Sequence, residues 1–446
     1  MTRQPTGCGS SADGAAYRLL RRAIDLRSDE VRGLAWSWLY IFSVFSAYYI
    51  IRPIRDEMGV ASGVETLPWL FTGTLSGMIL LNPPFAALVA RLPRVRFISV
   101  AYRFFMANLL LFCLLLKVST PEQNIWVGRI FFIWTSVFNL FVVSVFWALM
   151  VDVFDAGQAK RLFGVISAGA TLGSILGSSV TAILSRHVGS TYLLLGSAFL
   201  LEIAVFSVRR LSRLSEALRL RPSARGEEAP IGGNVLSGFT HAFRSRYLLN
   251  ISIYMLLYAI TSTFLYFEQA TIVNRSFADR AARTAFFAQV DLLVNVLTLG
   301  VQLFLTDRLL RGLGVALTLT LLPALSVLGF VTLGLTPTVA IIVMFQVLRR
   351  TSNFAVARPT REVLFTVIPR EDKYKAKSFI DTVIYRSGDQ IGAWSYALLS
   401  GLGLSPTGIA LAAVPLSAAW LLNGFWLGRE QETMRVAQEP LSRIPA

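Results

Sequence analysis

Residues 125–150 read IWVGRIFFIWTSVFNLFVVSVFWALM, an apolar run of 26 residues that contains a single charged residue, Arg129. A helix needs about 20 such residues to cross the hydrocarbon core of a bilayer. Each charge at the bilayer centre costs several kcal/mol. A run of this length with so little charge therefore indicates a transmembrane helix.

Similar runs recur along the whole chain. Hydrophobic residues make up 54% of the 446 residues and charged residues only 15%, whereas soluble domains carry about 25% charged residues. We therefore predict an all-α membrane protein in which twelve transmembrane helices form two six-helix bundles. The predicted spans lie near residues 33–52, 66–90, 98–117, 125–150, 163–185, 189–207, 247–268, 285–305, 313–335, 338–357, 378–401 and 405–427.

An arginine-rich polar stretch with Pro222 and Pro230 separates the two sets of six runs. Such a composition is typical of a linker. The predicted organisation is listed here from the N-terminus: a cytosolic segment (1–32), the N-terminal six-helix bundle (33–207), a cytosolic linker (208–246), the C-terminal six-helix bundle (247–428) and a cytosolic tail (429–446).

The net charge of +16 would suit a nucleic-acid-binding protein. The arginines, however, lie in loops between apolar runs, as the positive-inside rule describes for cytosolic loops. Loop 269–284 is an exception on the opposite side, with Arg275, Arg280 and Arg283. We expect no nucleic-acid partner. We expect a multi-pass protein of a bacterial inner membrane, with both termini in the cytosol, that acts as a monomer.

Cofactor-binding motifs are missing from the sequence. It contains no glycine-rich phosphate loop, and His187 and His241 do not have the spacing of metal ligands. We expect no cofactor, no metal site and no enzymatic activity.

Lysines concentrate at the start of the eleventh predicted span. The chain has only five lysines, and three of them are Lys373, Lys375 and Lys377. Cations at a helix N-terminus oppose the helix dipole, whereas an anion bound there would be stabilised. These lysines are therefore candidate substrate-binding residues. The alternative is an ordinary cytosolic basic cluster.

A stripe of polar residues continues into the same span. Lys377, Asp381, Tyr385 and Asp389 are four residues apart and share one helix face, and Arg386 lies beside them. Such side chains are too costly to face lipid. They either form a structural ion-pair network or line a substrate pathway, which we favour.

The first predicted span ends in YYIIRPIRDEMG, residues 48–59. Pro53 predicts a kink or a break, and four charges lie within the six residues 52–57. One interpretation is an exposed outer loop. The other is a discontinuous helix that directs Arg52 and Arg55 into a central substrate cavity.

Seven further polar residues lie inside apolar runs and are candidates for lining the pathway, with Glu268, Asp291 and Asn295 also candidates for coupling. The seven are Asn139, Asp152, Glu202, Glu268, Asp291, Asn295 and Gln346.

Three glycines recur every four residues in the fifth span: Gly169, Gly173 and Gly177. Small residues at this spacing let helix backbones approach closely. We predict helix packing here, with sliding between the two bundles as its use.

Two sets of six spans with a long central loop, and with basic loops after the second and eighth spans, resemble the major facilitator superfamily. The second basic loop is similar to that superfamily's loop motif and keeps Asp307, Arg308 and Arg311. The resemblance implies a substrate site near the bilayer midplane between the two bundles.

Three stretches also resemble the nucleotide transporters (ATP/ADP translocases) of plastids and intracellular bacteria. They are residues 51–56, residues 146–147 with 159–164, and residues 359–381. The resemblance implies that Arg55 and either Lys375 or Lys377 bind an anionic nucleotide. We add Glu362 of the third stretch as a candidate for coupling.

The chain departs from that family in two places. Arg55 stands where the family has a lysine, and a neutral residue near Ser136 stands where it has a glutamate. We predict a secondary-active transporter of a small anionic solute by alternating access, with a nucleotide as one candidate. The alternatives are a proton-coupled exporter that uses Asp381, Asp389 or Asp291, and a non-transporting membrane scaffold.

Overall fold

The computed structural model describes residues 30–218, 245–368, 376–377 and 379–438. Nearly all of these residues are helical. Ten helices within the described ranges are long and apolar enough to cross a membrane. Many large apolar side chains on them are exposed, for example Leu80, Phe199 and Leu422, as expected where lipid replaces water as the solvent.

Five helices make up the N-terminal part of the fold, here called the N-terminal helices: α1 (Val31–Ala61), α2 (Leu67–Arg91), α3 (Arg94–Val118), α4 (Pro121–Val153) and α5 (Ala156–Leu218). A single 3₁₀ turn, Val64–Thr66, joins α1 to α2. Gly189 has φ 74° and interrupts the helical geometry of α5. The chain changes direction at that residue.

The remaining described helices are here called the C-terminal helices: α6 (Arg246–Ser276), α7 (Arg280–Phe304), α8 (Thr306–Leu335), α9 (Val339–Ser352), α10 (Arg358–Leu364), α11 (Tyr385–Gly401) and α12 (Pro406–Gln438). The π-helical turn Asn353–Ala357 links α9 to α10, and a second π-helical turn, Ile380–Ile384, leads into α11.

Helix α1 is continuous through Pro53 and ends at Ala61. The predicted outer loop and the predicted break in the helix are therefore both wrong, although Arg52 and Arg55 do line a cavity, as the second interpretation expected. A proline removes one backbone hydrogen bond, but packed neighbours let a membrane helix continue past it. As a result, Arg52, Arg55, Asp56 and Glu57 all lie on a regular helix.

Helix α5 packs closely on α1 at the predicted glycines. A Cβ atom on Gly173 would lie 2.4 Å from the Phe42 carbonyl oxygen, and one on Gly177 would lie 2.4 Å from the Ser46 carbonyl oxygen. Gly169 faces Ile41 in the same way, at 2.9 Å. Because both helices belong to the N-terminal part of the fold, the predicted sliding between two bundles is wrong for this contact.

The N-terminal and C-terminal helices meet through the pairs α1–α6, α1–α7, α2–α11 and α5–α7. At the end of α1 an apolar cluster combines Val60, Leu67 and Phe132 with Phe264 and Phe267 of α6. This cluster packs the two groups of helices against each other at the end where α1 terminates.

Candidate functional site

A cavity of about 250 Å³, here called the first chamber, lies between the N-terminal and C-terminal helices. Polar side chains from α1, α4, α6 and α11 dominate its wall. Its lining residues are Tyr48, Arg52, Arg55, Asp56, Phe71, Ser136, Asn139, Ser262, Thr263, Tyr266, Tyr385, Arg386 and Asp389.

Helix α1 presents three charged groups to this chamber because residues three and four apart share a helix face. Arg55 and Arg52 lie 3.3 and 4.0 Å from Asp56. The guanidinium of Arg55 lies 4.0 Å from the centre of the Phe132 ring, a cation–π contact. Its Nε atom is buried without a hydrogen-bond partner. Arg55 is thus held in place with a free N–H donor.

The opposite wall of the first chamber comes from α11. Arg386 lies 3.2 Å from Asp389, and Thr263 of α6 donates to the same carboxylate at 3.5 Å. Gly388 and Gly392 let α11 lie directly on α6, since a Cβ on Gly388 would come within 2.5 Å of the Ala259 side chain. Close helix packing therefore brings Arg386 and Asp389 to the cavity wall.

A second cavity of about 170 Å³, here called the second chamber, adjoins the first. Five residues line both chambers: Arg52, Asp56, Ser262, Tyr266 and Tyr385. The other residues of the second chamber are Tyr258, Gln269, Phe287, Val290, Asp291, Gln346, Arg350, Asn353, Phe354 and Arg358. Together the chambers reach from α11 to α7 and α9.

Positive charge exceeds negative charge in the combined wall. Five arginines line the chambers: Arg52, Arg55, Arg350, Arg358 and Arg386. The acidic residues lining them are Asp56, Asp291 and Asp389. Charges in such a partly buried space interact more strongly than in water. The chambers are therefore electrostatically suited to an anion.

The predicted stripe on the eleventh span divides into two groups. Tyr385, Arg386 and Asp389 line the first chamber. Lys377 instead pairs with Glu362, and Asp381 lies 3.3 Å from Arg361. The π-helical turn Ile380–Ile384 shifts the register between the two groups. The four-residue spacing therefore failed as a guide to a common face.

Two of the predicted lysines, Lys373 and Lys375, lie outside the described residues.

Glu268 and Asn295 are buried but are not among the residues lining either chamber. Glu268 accepts a hydrogen bond from the Tyr396 hydroxyl at 3.1 Å. Asp291, four residues before Asn295, does line the second chamber.

Sequence reasoning missed Arg350 and Arg358. Arg350 lies near the end of the predicted span 338–357 and Arg358 directly follows it, where basic residues are expected on the cytosolic side, whereas the helical path continues to Val367. Arg350 pairs with Asp291 at 2.7 Å. Asp291 could have pointed to Arg350 in the sequence, because a carboxylate within a span requires a cationic partner on a neighbouring helix.

Loop 269–284 did not fit the positive-inside pattern, and two of its arginines share an acidic partner in the structure. Only residues 277–279 separate α6 from α7. Arg280 contacts the carboxylate of Glu57 at 3.0 and 3.1 Å, and Arg283 contacts it at 3.3 Å. The carboxylate of Glu57 is nearly inaccessible. These arginines therefore tie the end of α1 to the start of α7.

A multi-pass helical membrane protein with a charged cavity between its N-terminal and C-terminal helices has the architecture of a membrane transporter. Residues 35–373 match the sequence profile of the Major Facilitator Superfamily. The chain belongs to the Major Facilitator Superfamily.

Among curated proteins, ADP,ATP carrier protein 2 of Chlamydia pneumoniae is similar to this chain. It is 22% identical over 499 aligned positions, which cover 91% of this chain and 92% of that protein. ADP,ATP carrier protein 2 of Chlamydia trachomatis is 21% identical, over 68% of this chain and 66% of that protein. The predicted resemblance to ADP,ATP carriers is confirmed.

Solved structures of superfamily transporters share the fold. The nucleoside transporter NupG superposes with a TM-score of 0.58 at 14% identity, over 92% of this chain and 99% of that one. A bacterial homologue of the iron transporter ferroportin, in an inward-facing state, gives a TM-score of 0.59 at 13% identity, over 91% and 98% of the two chains. At these identities the likeness concerns the fold alone.

Proposed function

We propose that this protein is a secondary-active transporter that moves an anionic solute of the nucleotide class by alternating access. The observation that carries the proposal is the excess of arginine over aspartate in the two chambers between the N-terminal and C-terminal helices. Arginine is well suited to phosphate because its planar guanidinium donates two parallel hydrogen bonds.

The proposal includes twelve spans in two six-helix bundles. In this arrangement Gly189 divides α5 into two spans. The π-helical turn before α11 completes an eleventh span that is too short and too charged to count by hydropathy. Both termini, the linker and the tail then face the cytosol of a bacterial inner membrane, and the protein acts as a monomer.

Aromatic residues support a nucleotide over a simple inorganic anion. Tyr48, Phe71, Tyr266 and Tyr385 line the first chamber beside the arginines. Aromatic faces stack with nucleobases, worth about 1–3 kcal/mol per base. The similar Chlamydia proteins are named ADP,ATP carriers, and one protein of the same fold is named a nucleoside transporter.

The residues of the eleventh-span entrance take a separate role in this proposal. Two ion pairs, Lys377 with Glu362 and Arg361 with Asp381, lie outside the lining of the two chambers. We place these two ion pairs on the path by which the anion reaches the chambers from the cytosol.

The test is uptake of labelled ATP and ADP into proteoliposomes that contain purified protein. Wild type and Arg429→Gln, a change at an exposed arginine on α12 outside the chambers, should accumulate label equally. Arg55→Gln should reduce uptake at least tenfold, because it removes a guanidinium that lies in the chamber wall. Background uptake by wild type would refute the nucleotide assignment, and equal uptake by all three proteins would refute the site.

A proton-coupled exporter is a second candidate because of Glu268. This carboxylate is 1% exposed, and its described side-chain partner is the neutral hydroxyl of Tyr396. Such a group is able to take up a proton during transport. A proton-gradient uncoupler should abolish transport by such an exporter, and Glu268→Gln should become insensitive to it. If the protein instead exchanges one anion for another, transport should continue in the presence of the uncoupler and in Glu268→Gln.

A further inference from the structure

A single carboxylate oxygen joins both groups of helices inside the second chamber. Oδ1 of Asp291 on α7 lies 2.7 Å from Nη1 of Arg350 on α9 and 3.4 Å from Nη1 of Arg52 on α1. Asp291 is only 2% exposed. One acidic oxygen on the cavity wall thus holds an arginine of the N-terminal helices and an arginine of the C-terminal helices.

The bridge leaves hydrogen-bonding capacity unused on both sides. Oδ2 of Asp291 and Nη2 of Arg350 are buried and have no hydrogen-bond partner among the described residues. A buried ion pair that serves only stability needs its remaining donors and acceptors satisfied to offset desolvation. This pair is incomplete, and it lies in the wall of a cavity instead of a packed core.

We propose that the Asp291 carboxylate is an internal substitute for an oxyanion of the substrate, and that an anionic group of the substrate displaces it from between Arg52 and Arg350. This inference rests on the proposed transport of an anionic solute. The resulting subsite is one at which a phosphate or carboxylate group of that solute binds the guanidinium groups of Arg52 and Arg350.

Charge balance gives the physical reason for such a substitute. Without Asp291 and without a bound anion, Arg52 and Arg350 would lie near each other in a partly buried space. Asp56 would compensate them only in part, because it lies 4.0 Å from Arg52 and is also paired with Arg55. Incompletely compensated buried charge is destabilising. Asp291 supplies the missing charge. An incoming oxyanion has more acceptor positions and forms charge-assisted hydrogen bonds with both guanidinium groups.

A hydrogen-bond donor for the displaced carboxylate lies on the same helix. Asn295 is one turn further along α7, buried, and its Nδ2 atom has no hydrogen-bond partner. Residues four apart lie on the same helix face. A small rotation of the Asp291 side chain would therefore move its carboxylate away from the two arginines and let it accept a hydrogen bond from the Asn295 amide.

The first experiment needs no knowledge of the substrate. Asp291→Ala removes the carboxylate and leaves its space between the arginines. The melting temperature of this purified variant should rise with acetate concentration and saturate, while chloride at equal ionic strength has no such effect. Wild type and Asp291→Asn, whose side chains fill the space, should not respond. Identical acetate curves for all three proteins would overturn the proposal. Asp291→Ser leaves similar space if Asp291→Ala does not fold.

The second experiment measures ATP and ADP binding by wild type and Asp291→Asn. Removal of a competing anion should lower the dissociation constant at least fivefold. If Asp291 merely positions the arginines, Asp291→Asn should raise the dissociation constant instead. Weaker or unchanged nucleotide binding by Asp291→Asn therefore contradicts the inference. If wild type binds neither nucleotide, the nucleotide assignment fails, whereas the acetate response still decides the role of Asp291.

Discussion

At the scale of single residues, two adjacent arginines on α9 have different surroundings. Arg349 is 2% exposed and donates to Ser326 at 3.1 Å, Thr261 at 2.8 Å and the Tyr258 carbonyl oxygen at 3.3 Å. Arg350 faces the second chamber and Asp291. One side chain is part of the helix packing, and the other is part of the cavity.

Replacing Arg349 should therefore cost stability. Arg349→Gln leaves buried hydroxyl and carbonyl groups without their charged donor, a loss of about 2 kcal/mol. The melting temperature of the purified protein should fall clearly, whereas folded Arg349→Gln protein should retain the ATP and ADP dissociation constants of wild type. An unchanged melting temperature would contradict this assignment.

Replacing Arg350 should have the converse effect. Arg350→Gln removes a guanidinium from the proposed oxyanion subsite, and a lost charge-assisted contact of about 1.5–3 kcal/mol corresponds to roughly a tenfold or greater rise in the dissociation constant for ATP. Binding to purified protein by equilibrium dialysis measures this rise, with Arg429→Gln as the matched control. Equal affinity of the two variants would exclude Arg350 from the site.

The sequence identified charged residues in the spans better than it identified their partners. Arg52, Arg55 and Asp291 were recognised because lipid excludes unpaired charge. Arg350 was not recognised, because a basic residue near a span end fits the positive-inside rule equally well. Only the three-dimensional approach of α7 to α9 distinguishes the two interpretations.

At the scale of helices, the contact of α5 with α1 should not tolerate even one methyl group. A Cβ on Gly173 would lie 2.4 Å from a backbone carbonyl oxygen, so Gly173→Ala should destabilise the protein by about 1–3 kcal/mol. Gly196, on the same helix, has open space where a Cβ would lie. Gly196→Ala should therefore keep or raise the melting temperature. Similar melting temperatures for the two variants would contradict the close contact.

A second prediction for helices concerns the closure between α1 and α7. Glu57→Gln weakens the contacts to Arg280 and Arg283, and a loss of about 1.4 kcal/mol shifts an open–closed equilibrium tenfold. Spin labels are placed at residues 65 and 276, with Cys8 and Cys113 replaced by serine. The fraction of molecules with a long distance between the two labels should be larger in Glu57→Gln than in wild type. Glu122→Gln, at an exposed position at the start of α4, should leave the distance distribution unchanged, and no shift in Glu57→Gln would exclude this closure.

Helix existence was predictable from apolar runs, whereas helix geometry near functional residues was not. The predicted first span stopped at residue 52, because charge and proline normally mark an end, yet α1 continues to Ala61. The π-helical turn Ile380–Ile384 separates Lys377 from Asp389. Both departures occur where polar residues meet a cavity, since tertiary contacts there replace the usual lipid environment.

At the scale of the whole molecule, apolar length determines how often the chain crosses the bilayer. Helix α5 contains 63 residues, which as one straight helix would extend about 95 Å, three times the hydrocarbon thickness. Gly189 has the positive φ at which a reversal is possible. Residues on both sides of Gly189 contact α1: a Cβ on Gly177 would meet the Ser46 carbonyl oxygen, and the Ser197 hydroxyl donates to the Ala47 carbonyl oxygen.

The proposed reversal at Gly189 predicts which residues reach the outer face. With the N-terminus in the cytosol, the turn at Gly189 lies outside and the turn after α2 lies inside. In protein without Cys8 and Cys113, Ser190→Cys should react with a membrane-impermeant maleimide added to intact cells. Arg91→Cys should react only after permeabilisation. Reaction of Arg91→Cys alone in intact cells would invert the proposed orientation. Protection of both cysteines would place the turn at Gly189 on the cytosolic side and exclude two crossings by α5.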